Sequence, residues 1–313
     1  MSSPTPITPE FPGLPGRRPR RRLRAALGAA LVATLAVGGA LGGPPARPAA
    51  AREAARSSPT VAEIRARGEI VVGTKFDQPL FGLRDATTGE VDGFDVEIAR
   101  LVVREVFGRR VARNIRFVET PSRTREDALT SGAADLVVAT YTITPEREAV
   151  IDFAGPYYTS GQAILTRKAD TAIRGTADLG GRPVCTVSGS TSATNLTTRV
   201  PTAVPVLVDT YSECVARLRA GTVDAVTTDE AILLGYLATE PGAFRLAGSP
   251  FTSEPYGIGI APGDPALVRE VGTALRNAFR DGSWTRAWKR TIGRTGAPVP
   301  DPPVTTSRQA SRV

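Results

Sequence analysis

Short apolar runs alternate with helical stretches along much of the chain, and this alternation limits the folds that it can adopt. Strand-like runs at 70–73, 115–118 and 136–139 are separated by helical patterns at 95–106 and 125–131. The apolar residues of the first helical pattern recur at spacings of three and four, which puts them on one face. Such a strand–helix–strand order predicts a mostly parallel sheet with helices on its faces.

A second block of the same kind begins near Ala177. Its stretches are, in order, Pro183–Val187, a helix from about Thr191, Val204–Val208, Tyr211–Ala220, Ala225–Thr228 and Glu230–Leu237. Extended runs at 162–166 and 256–260 flank this block, and helices are predicted at 265–281 and 283–292. Open α/β sheets bind ligands at their strand ends, so two such lobes predict a ligand crevice between them.

One stretch of the first block, residues 139–147, joins a strand end to a helix start. Thr144 before Pro145 is typical of a helix start, with the hydroxyl as N-cap and the proline at the first helical position. Arg147 then occupies the first turn, where the helix dipole already presents partial positive charge. An anion is expected to offset that charge. It is either a ligand carboxylate or one of the two glutamates that flank the arginine.

Two further strand ends of the second block carry polar residues. Residues 189–192 precede a helix and form a second helix N-terminus able to receive an anion. Asp229 is either the N-cap of the next helix or a carboxylate offered to a cation. An arginine for an α-carboxylate and an aspartate for an α-ammonium together match a free amino acid.

The charge of the chain is concentrated at its beginning. Of a net charge of +8, residues 1–59 hold nine arginines against Glu10 and Glu53, whereas residues 60–313 hold 30 basic and 29 acidic residues. The near-neutral remainder predicts no polyanion-binding face and no nucleic-acid partner.

The first 59 residues have the parts of an export signal. The basic cluster at 17–24 precedes an uncharged run at 25–41, and small residues follow at 49–51. The chain is therefore predicted to be exported, and the pair Arg21 and Arg22 also allows a twin-arginine route. An uncleaved run would instead leave an N-terminal membrane anchor. No cysteine follows the run, so no lipid-anchor site is predicted.

The chain has two cysteines and no histidine. Export to an oxidising compartment favours a disulfide between Cys185 and Cys214, and the alternative is two buried thiols in one core. The lack of histidine excludes a cysteine–histidine nucleophile and argues against a zinc site. No catalytic residue, metal or cofactor is predicted.

Six runs of the sequence also match a known family, in that family's order. They are Gly93–Ala99, Thr140–Arg147, Asp152–Tyr158, Gly189–Thr191, Gly221–Val226 and Asp281–Trp284. Through them the chain resembles, from about Thr60 to Gly293, the family 3 solute-binding proteins, the extracellular amino-acid receptors of ABC importers. Further details resemble the glutamate-binding branch: Lys75–Pro79, Cys185–Val187, Tyr211–Cys214 and Thr227–Glu230.

The resemblance implies a two-lobed α/β fold of the periplasmic-binding-protein-like type II class. Each lobe is a mostly parallel sheet flanked by helices, and the runs at 162–166 and 256–260 are two crossing strands that act as a hinge. The expected segments are an export signal and flexible linker at 1–59, lobe 1 at 60–165 and 255–296, lobe 2 at 166–254, and a disordered tail at 297–313.

The resemblance also implies a ligand site. Arg147 would clamp the α-carboxylate together with the N–H of Thr142. The segment 139–140 and Thr191 would contact the backbone atoms of the ligand. Asp229 would bind the α-ammonium. The complete predicted set is Lys75, Gln78, Arg125, Ala139, Thr140, Thr142, Arg147, Ser190, Thr191, Thr228 and Asp229.

Within that set, two cations bear on the choice of ligand. Lys75 and Arg125 match positions that face the side-chain carboxylate in relatives that bind acidic amino acids. Without the resemblance, Arg125 would be a helix-surface charge beside Glu126 and Asp127. Many relatives place an aromatic ring near Gln78 to stack on the ligand, and that ring is missing here.

The function implied is a monomeric, non-enzymatic receptor that captures L-glutamate, or the related aspartate or glutamine, and delivers it to an ABC-type permease in the membrane. Two alternatives come from other classes. A ligand-sensing domain of a membrane receptor would need the uncleaved 25–41 run, and a dehydratase-like enzyme on the same fold would need a general acid that the arginine and aspartate do not supply.

Overall fold

The computed structural model describes residues 58–304. The predicted export signal, its small-residue site at 49–51 and the tail segment 305–313 lie outside the described residues. No helix in the described part is long and apolar enough to span a membrane. Ser58 caps the first helix by accepting the N–H of Val61 at 3.1 Å, so this helix begins within the predicted linker.

The first sheet has five strands, in the order β5-β1-β6-β13-β7. They are β1 Ile70–Thr74, β5 Ile115–Glu119, β6 Leu136–Val137, β7 Asp152–Ser160 and β13 Glu254–Ile260. The first three run parallel, and β13 pairs antiparallel with both β6 and β7. Every residue of β1 is buried, because this strand is covered on both faces.

Helices cover the first sheet and connect its strands. They are α1 Pro59–Arg67, α2 Phe94–Phe107, α3 Arg109–Ala112, α4 Arg125–Thr130, α5 Pro145–Glu148, α9 Pro265–Arg280 and α10 Ser283–Arg290. The apolar face of α2 packs with α9 and α10 in the largest core cluster, which contains Phe94 and Trp284.

The second sheet also has five strands, in the order β10-β9-β11-β8-β12. They are β8 Gln162–Arg167, β9 Pro183–Val187, β10 Val204–Val208, β11 Ala225–Asp229 and β12 Phe244–Leu246. Strands β9, β10 and β11 are parallel, and β8 is antiparallel to β11 and β12. Its helices are α6 Thr191–Arg199, α7 Tyr211–Arg219 and α8 Glu230–Thr239.

A small third sheet stands beside the first. Strands β2 Asp77–Gln78, β3 Gly82–Arg84 and β4 Val91–Asp92 pair antiparallel in sequence order. The sequence patterns did not predict this sheet, because two- and three-residue strands are too short to show a period-2 alternation.

The structure therefore has two lobes, each built around one five-stranded sheet, and the predicted fold class is confirmed. We call the part around the first and small sheets lobe 1 and the part around the second sheet lobe 2. Neither run predicted to cross between lobes pairs with both sheets: β8 belongs to the second sheet and β13 to the first. The chain passes between them at Gly161 and again over 247–253.

The disulfide predicted from the two cysteines is confirmed. Cys185 in β9 and Cys214 in α7 are bonded, with their Cα atoms 5.4 Å apart, and both are fully buried. The bond ties together two lobe 2 elements whose ends face lobe 1.

Candidate functional site

A small cavity lies where strand ends of the two lobes face each other. Its volume is about 10 Å³, enough for about one water molecule. An amino acid is larger, so its entry requires the lobes to separate. The lining residues are Gln78, Ser122, Arg125, Thr140 and Thr142 from lobe 1, and Ser190, Thr191, Ser192, Tyr211, Thr228, Asp229 and Ile232 from lobe 2.

The structure thus brings together eight of the eleven predicted site residues at one cavity. The other three, Lys75, Ala139 and Arg147, lie next to lining residues rather than on the cavity wall. Lys75 bonds to Ser122, Ala139 to Arg125, and Arg147 to the carbonyl of Thr142.

Arg147 links the two lobes. One guanidinium nitrogen donates to the carbonyl of Thr142 at 2.8 Å, and the other donates to the carbonyl of Gly189 in lobe 2 at 3.1 Å. Its carboxylate partner is Glu126, at 3.4 Å. The interpretation in which a flanking glutamate offsets the arginine is therefore wrong. Burial, and next the charge of Arg125, lower the pKa of Arg147 to about 10.

Arg125 is a buried cation, with 2% of its surface exposed. Its guanidinium lies 4.0 Å from the centre of the Tyr141 ring and donates to the carbonyl of Ala139 at 3.0 Å. No described carboxylate lies within ion-pair distance of it. The interpretation of Arg125 as a helix-surface charge is wrong, because α4 turns this side chain inward.

Lys75 lies behind the cavity and is almost completely buried. Its ammonium donates to the hydroxyl of Ser122 at 2.9 Å, and that hydroxyl lines the cavity. Burial, and next the positive charge of Arg125, lower the pKa of Lys75 to about 7. An anion brought close to this group would stabilise its charged form.

Thr140 has a strained backbone, with φ of 44°. A β-branched residue rarely adopts this left-handed conformation. Asp95 holds it in place, since its Oδ2 accepts the N–H of Thr140 at 2.7 Å and its Oδ1 accepts the hydroxyl of Tyr157 at 2.6 Å. The Thr140 hydroxyl donates to Gln78 or to the Ala139 carbonyl. Strain of this kind is found at ligand sites.

Asp229 is the carboxylate of the cavity. It stands at the N-cap position of α8, but its side chain makes no capping bond. Oδ2 accepts the hydroxyl of Tyr256 at 2.6 Å, and the buried Oδ1 has no described hydrogen-bond partner. Burial, and next the charge of Glu254, raise the pKa of Asp229 to about 7. A buried acceptor without a donor is costly, so this atom is suited to a cationic ligand group.

The lobes also contact each other beside the cavity. Asp77 of lobe 1 accepts the N–H groups of Tyr211 and Ser212, at 2.8 and 3.3 Å, at the N-terminus of α7 in lobe 2. The Tyr236 hydroxyl donates to the Asp77 carbonyl at 2.6 Å. An ion pair between Arg123 and Asp209 joins the lobes at the surface.

The sequence patterns missed several residues of this site. Ser122, Tyr211 and Ile232 line the cavity, and Asp95 and Tyr256 fix Thr140 and Asp229 from outside it. Ser192 also lines the cavity, and it lies in the helix start at 189–192 that the sequence did indicate. The sequence carried no signal for Asp95, because an acidic residue in the first turn of a helix is ordinary. Only the structure shows that it is fully buried and therefore requires partners. The described residues include no cluster of three or more side chains able to ligate a metal.

The family model for "Bacterial extracellular solute-binding proteins, family 3" matches residues 70–294 of this chain, which span both lobes. The chain belongs to this family. The resemblance seen in the sequence motifs is thereby confirmed.

Named members of the family include binding proteins for two related amino acids. The chain is 38% identical over 234 residues to the ABC transporter glutamine-binding protein GlnH of Bacillus subtilis, covering 74% of this chain and 84% of that protein. It is also 38% identical over 234 residues to the glutamate-binding protein GluB of Corynebacterium efficiens, and this match covers 72% of this chain and 79% of that protein.

Solved structures of amino-acid-binding proteins share this fold. An ancestral arginine-binding protein bound to glutamine superposes with a TM-score of 0.67 at 32% identity, over 72% of this chain and 99% of that one. The named relatives are binding proteins rather than enzymes, and they differ in which amino acid they bind.

Proposed function

We propose that this family 3 protein is an exported receptor that binds L-glutamate between its lobes and delivers it to an ABC-type permease. The observation that carries the proposal is the distribution of charge around the cavity. The unpaired Oδ1 of Asp229 is on the lobe 2 side, and the guanidinium of Arg125 is on the lobe 1 side.

Recognition of the amino-acid backbone follows from these opposite charges. The α-ammonium would take the free oxygen of Asp229 and the hydroxyls of Thr228 and Ser192. The α-carboxylate would take the guanidinium of Arg147 once the lobes separate, because the two hydrogen bonds that this group now donates go to backbone carbonyls, which a carboxylate replaces favourably. Glu126 lies at ion-pair distance from its third nitrogen, Nε.

Preference for an acidic side chain follows from the remaining cations. Arg125 and Lys75 are buried, and neither has a described carboxylate within ion-pair distance. Buried charges without a counter-charge are unfavourable, so a ligand that brings a second carboxylate gains more than a neutral one. Aspartate and glutamine are the expected weaker ligands.

The remaining parts of the proposal rest on the family. Receptors described as extracellular act outside the cytoplasm, which agrees with the basic and apolar leader. We propose that the protein works as a monomer and that it is not an enzyme. We also propose that the two places where the chain passes between the lobes, Gly161 and 247–253, form the hinge.

The test is calorimetric titration with glutamate of the parent protein and of an Asp229→Asn variant, which keeps the shape but removes the charge. Losing one partner of a buried ionic contact costs about 2 to 5 kcal/mol, so affinity should fall about thirty- to several-thousand-fold. Glu240→Gln, which removes a half-buried lobe 2 carboxylate that pairs with Arg219 and does not line the cavity, should bind as the parent does. Normal binding by Asp229→Asn would refute the assignment.

A further inference from the structure

A second cavity lies outside the amino-acid cleft, on lobe 1 beside strand β5. It is an open groove with a volume of about 530 Å³. Two aromatic rings and four guanidinium groups are prominent among its lining residues: Phe76, Phe117, Arg84, Arg100, Arg113 and Arg116. We call this feature the arginine groove. Nothing in the proposed capture of an amino acid uses it.

The arginine groove has an excess of basic over acidic residues. Glu90 is the single acidic residue among those lining it. Arg100 and Arg116 pair with Glu97 and Glu69. Arg84 and Arg113 have no carboxylate within ion-pair distance among residues 58–304. The near-neutral total for 60–313 therefore conceals an uneven distribution of charge.

Two of the four guanidinium groups are oriented by ring contacts. Arg84 lies over Phe76, 5.4 Å from the ring centre, and Arg100 lies over Phe117 at 5.9 Å. Contact with a ring restricts the motion of the planar guanidinium group. Less conformational entropy is then lost when the guanidinium binds both oxygens of a carboxylate.

The groove also runs along an unpaired sheet edge. Strand β5 is the last strand of the first sheet, and it pairs with β1 on one side. The carbonyl of Asn114 and the N–H of Thr120 bond to β1. Because alternate residues of a parallel strand face its partner, Ile115, Phe117 and Glu119 direct their N–H and C=O groups away from β1. Such an edge can accept another strand.

The charge of the chain's own terminal segments argues against their binding in the arginine groove. Residues 1–57 contain nine arginines and two glutamates, and residues 305–313 contain two arginines and no acidic residue. Either segment would add positive charge to the arginine groove. Its occupant is therefore expected from another molecule.

We propose that the arginine groove binds an extended acidic segment of a partner protein, which adds as a strand to the free edge of β5 while its carboxylates pair with the arginines. The unpaired backbone groups favour a peptide over other anions, since neither a lipid headgroup nor a phosphate polymer can continue the ladder of the sheet. The segment would alternate acidic residues with β-branched ones, so that its carboxylates share one face.

The probe is a fluorescein-labelled peptide of alternating glutamate and valine, long enough to span the five residues of β5. Its binding to the full-length protein is followed by fluorescence polarisation at low and physiological salt. We expect saturable binding that weakens with salt. A matched peptide with N-methyl groups on the residues that face β5 keeps the charge but cannot pair, and should bind at least tenfold more weakly.

The protein variant Arg84→Glu/Arg113→Glu should also bind the peptide at least tenfold more weakly. The control Arg174→Glu/Arg199→Glu makes the same charge change on the exposed surface of lobe 2 and should bind as the parent does. Both variants should keep the parent's unfolding temperature and glutamate affinity. The proposal would be overturned if the two peptides bound equally well, or if both protein variants lost the same amount of peptide affinity. It would also be overturned if polyphosphate or phosphatidylglycerol vesicles bound more tightly than the peptide.

Discussion

Because the pKa of Lys75 is about 7, the proposed preference for glutamate should depend on pH. A glutamate side chain near this ammonium gains from the charged form of the lysine, whereas the neutral amide of glutamine does not. As pH rises through 7, the lysine loses its proton, and the part of the glutamate advantage that depends on Lys75 should disappear, while the part that depends on Arg125 remains. Asp229 and Asp95 also have pKa values of about 7, but they act on both ligands alike. The ratio of the two affinities therefore isolates Lys75.

The size of the effect follows from the fraction of protein in which Lys75 carries its charge. With a pKa of about 7, that fraction is about 0.9 at pH 6 and about 0.03 at pH 8.5. The apparent dissociation constant for glutamate rises as the fraction of protein with a charged Lys75 falls. The preference for glutamate over glutamine should thus shrink by about thirtyfold over this range.

Calorimetric titrations with both ligands at pH 6, 7 and 8.5 measure this ratio. Lys75→Met keeps a long apolar side chain without the charge, and its ratio should be small and independent of pH. Lys168→Met removes an exposed lysine of lobe 2 and should retain the parent's pH dependence. A parent ratio that stays constant from pH 6 to 8.5 would refute the placement of Lys75 beside the ligand side chain.

Two further predictions concern closure and stability. A Cβ atom at Gly235 in α8 would stand 2.3 Å from the carbonyl oxygen of Pro79 in lobe 1, so Gly235→Ala should weaken glutamate binding at least tenfold by calorimetry while the protein stays as stable as the parent. In the control Gly272→Ala the added Cβ meets only the end of a flexible arginine side chain, at 3.4 Å, so this variant should bind as the parent does. Normal binding by Gly235→Ala would contradict the role of the Gly235–Pro79 contact in closure. Replacing both Cys185 and Cys214 by serine should lower the free energy of unfolding by about 3.6 kcal/mol, for a closed loop of 29 residues. Urea unfolding measures this loss, and an unchanged midpoint would contradict it.

Much of the fold could be predicted from local patterns. Strands such as β1 and β9 are short apolar runs because both of their faces are covered, and the helices between them show a clear apolar stripe. The segment 152–160 was not predicted as a strand. Its Gly155 and Pro156 interrupt the pattern, yet pairing with β13 makes it the longest strand in the described part of the chain.

The site was predictable to the extent that its residues stand at strand ends or helix starts. The segments 139–147 and 189–192 and the residue Asp229 were identified in that way, because parallel strands bring their carboxyl ends to one edge. The burial of Arg125 could not be read from α4 alone, since it follows from Tyr141 on a different segment. Lobe-to-lobe contacts such as Asp77 with α7 depend on closure, which no local pattern encodes.

Calorimetric titration with glutamate and with glutamine at pH 6, on the parent protein and on an Arg125→Gln variant, tests whether the buried cations select the ligand. Neither Lys75 nor Arg125 can accept a hydrogen bond, so the amide NH₂ of glutamine would face only donors. Glutamate should bind the parent at least about tenfold more tightly than glutamine, a difference of about 1.4 kcal/mol or more. Arg125→Gln should reduce this difference mainly by weakening glutamate. Equal affinities in the parent, or an unchanged difference in the variant, would contradict the claim that these buried cations select an acidic amino acid.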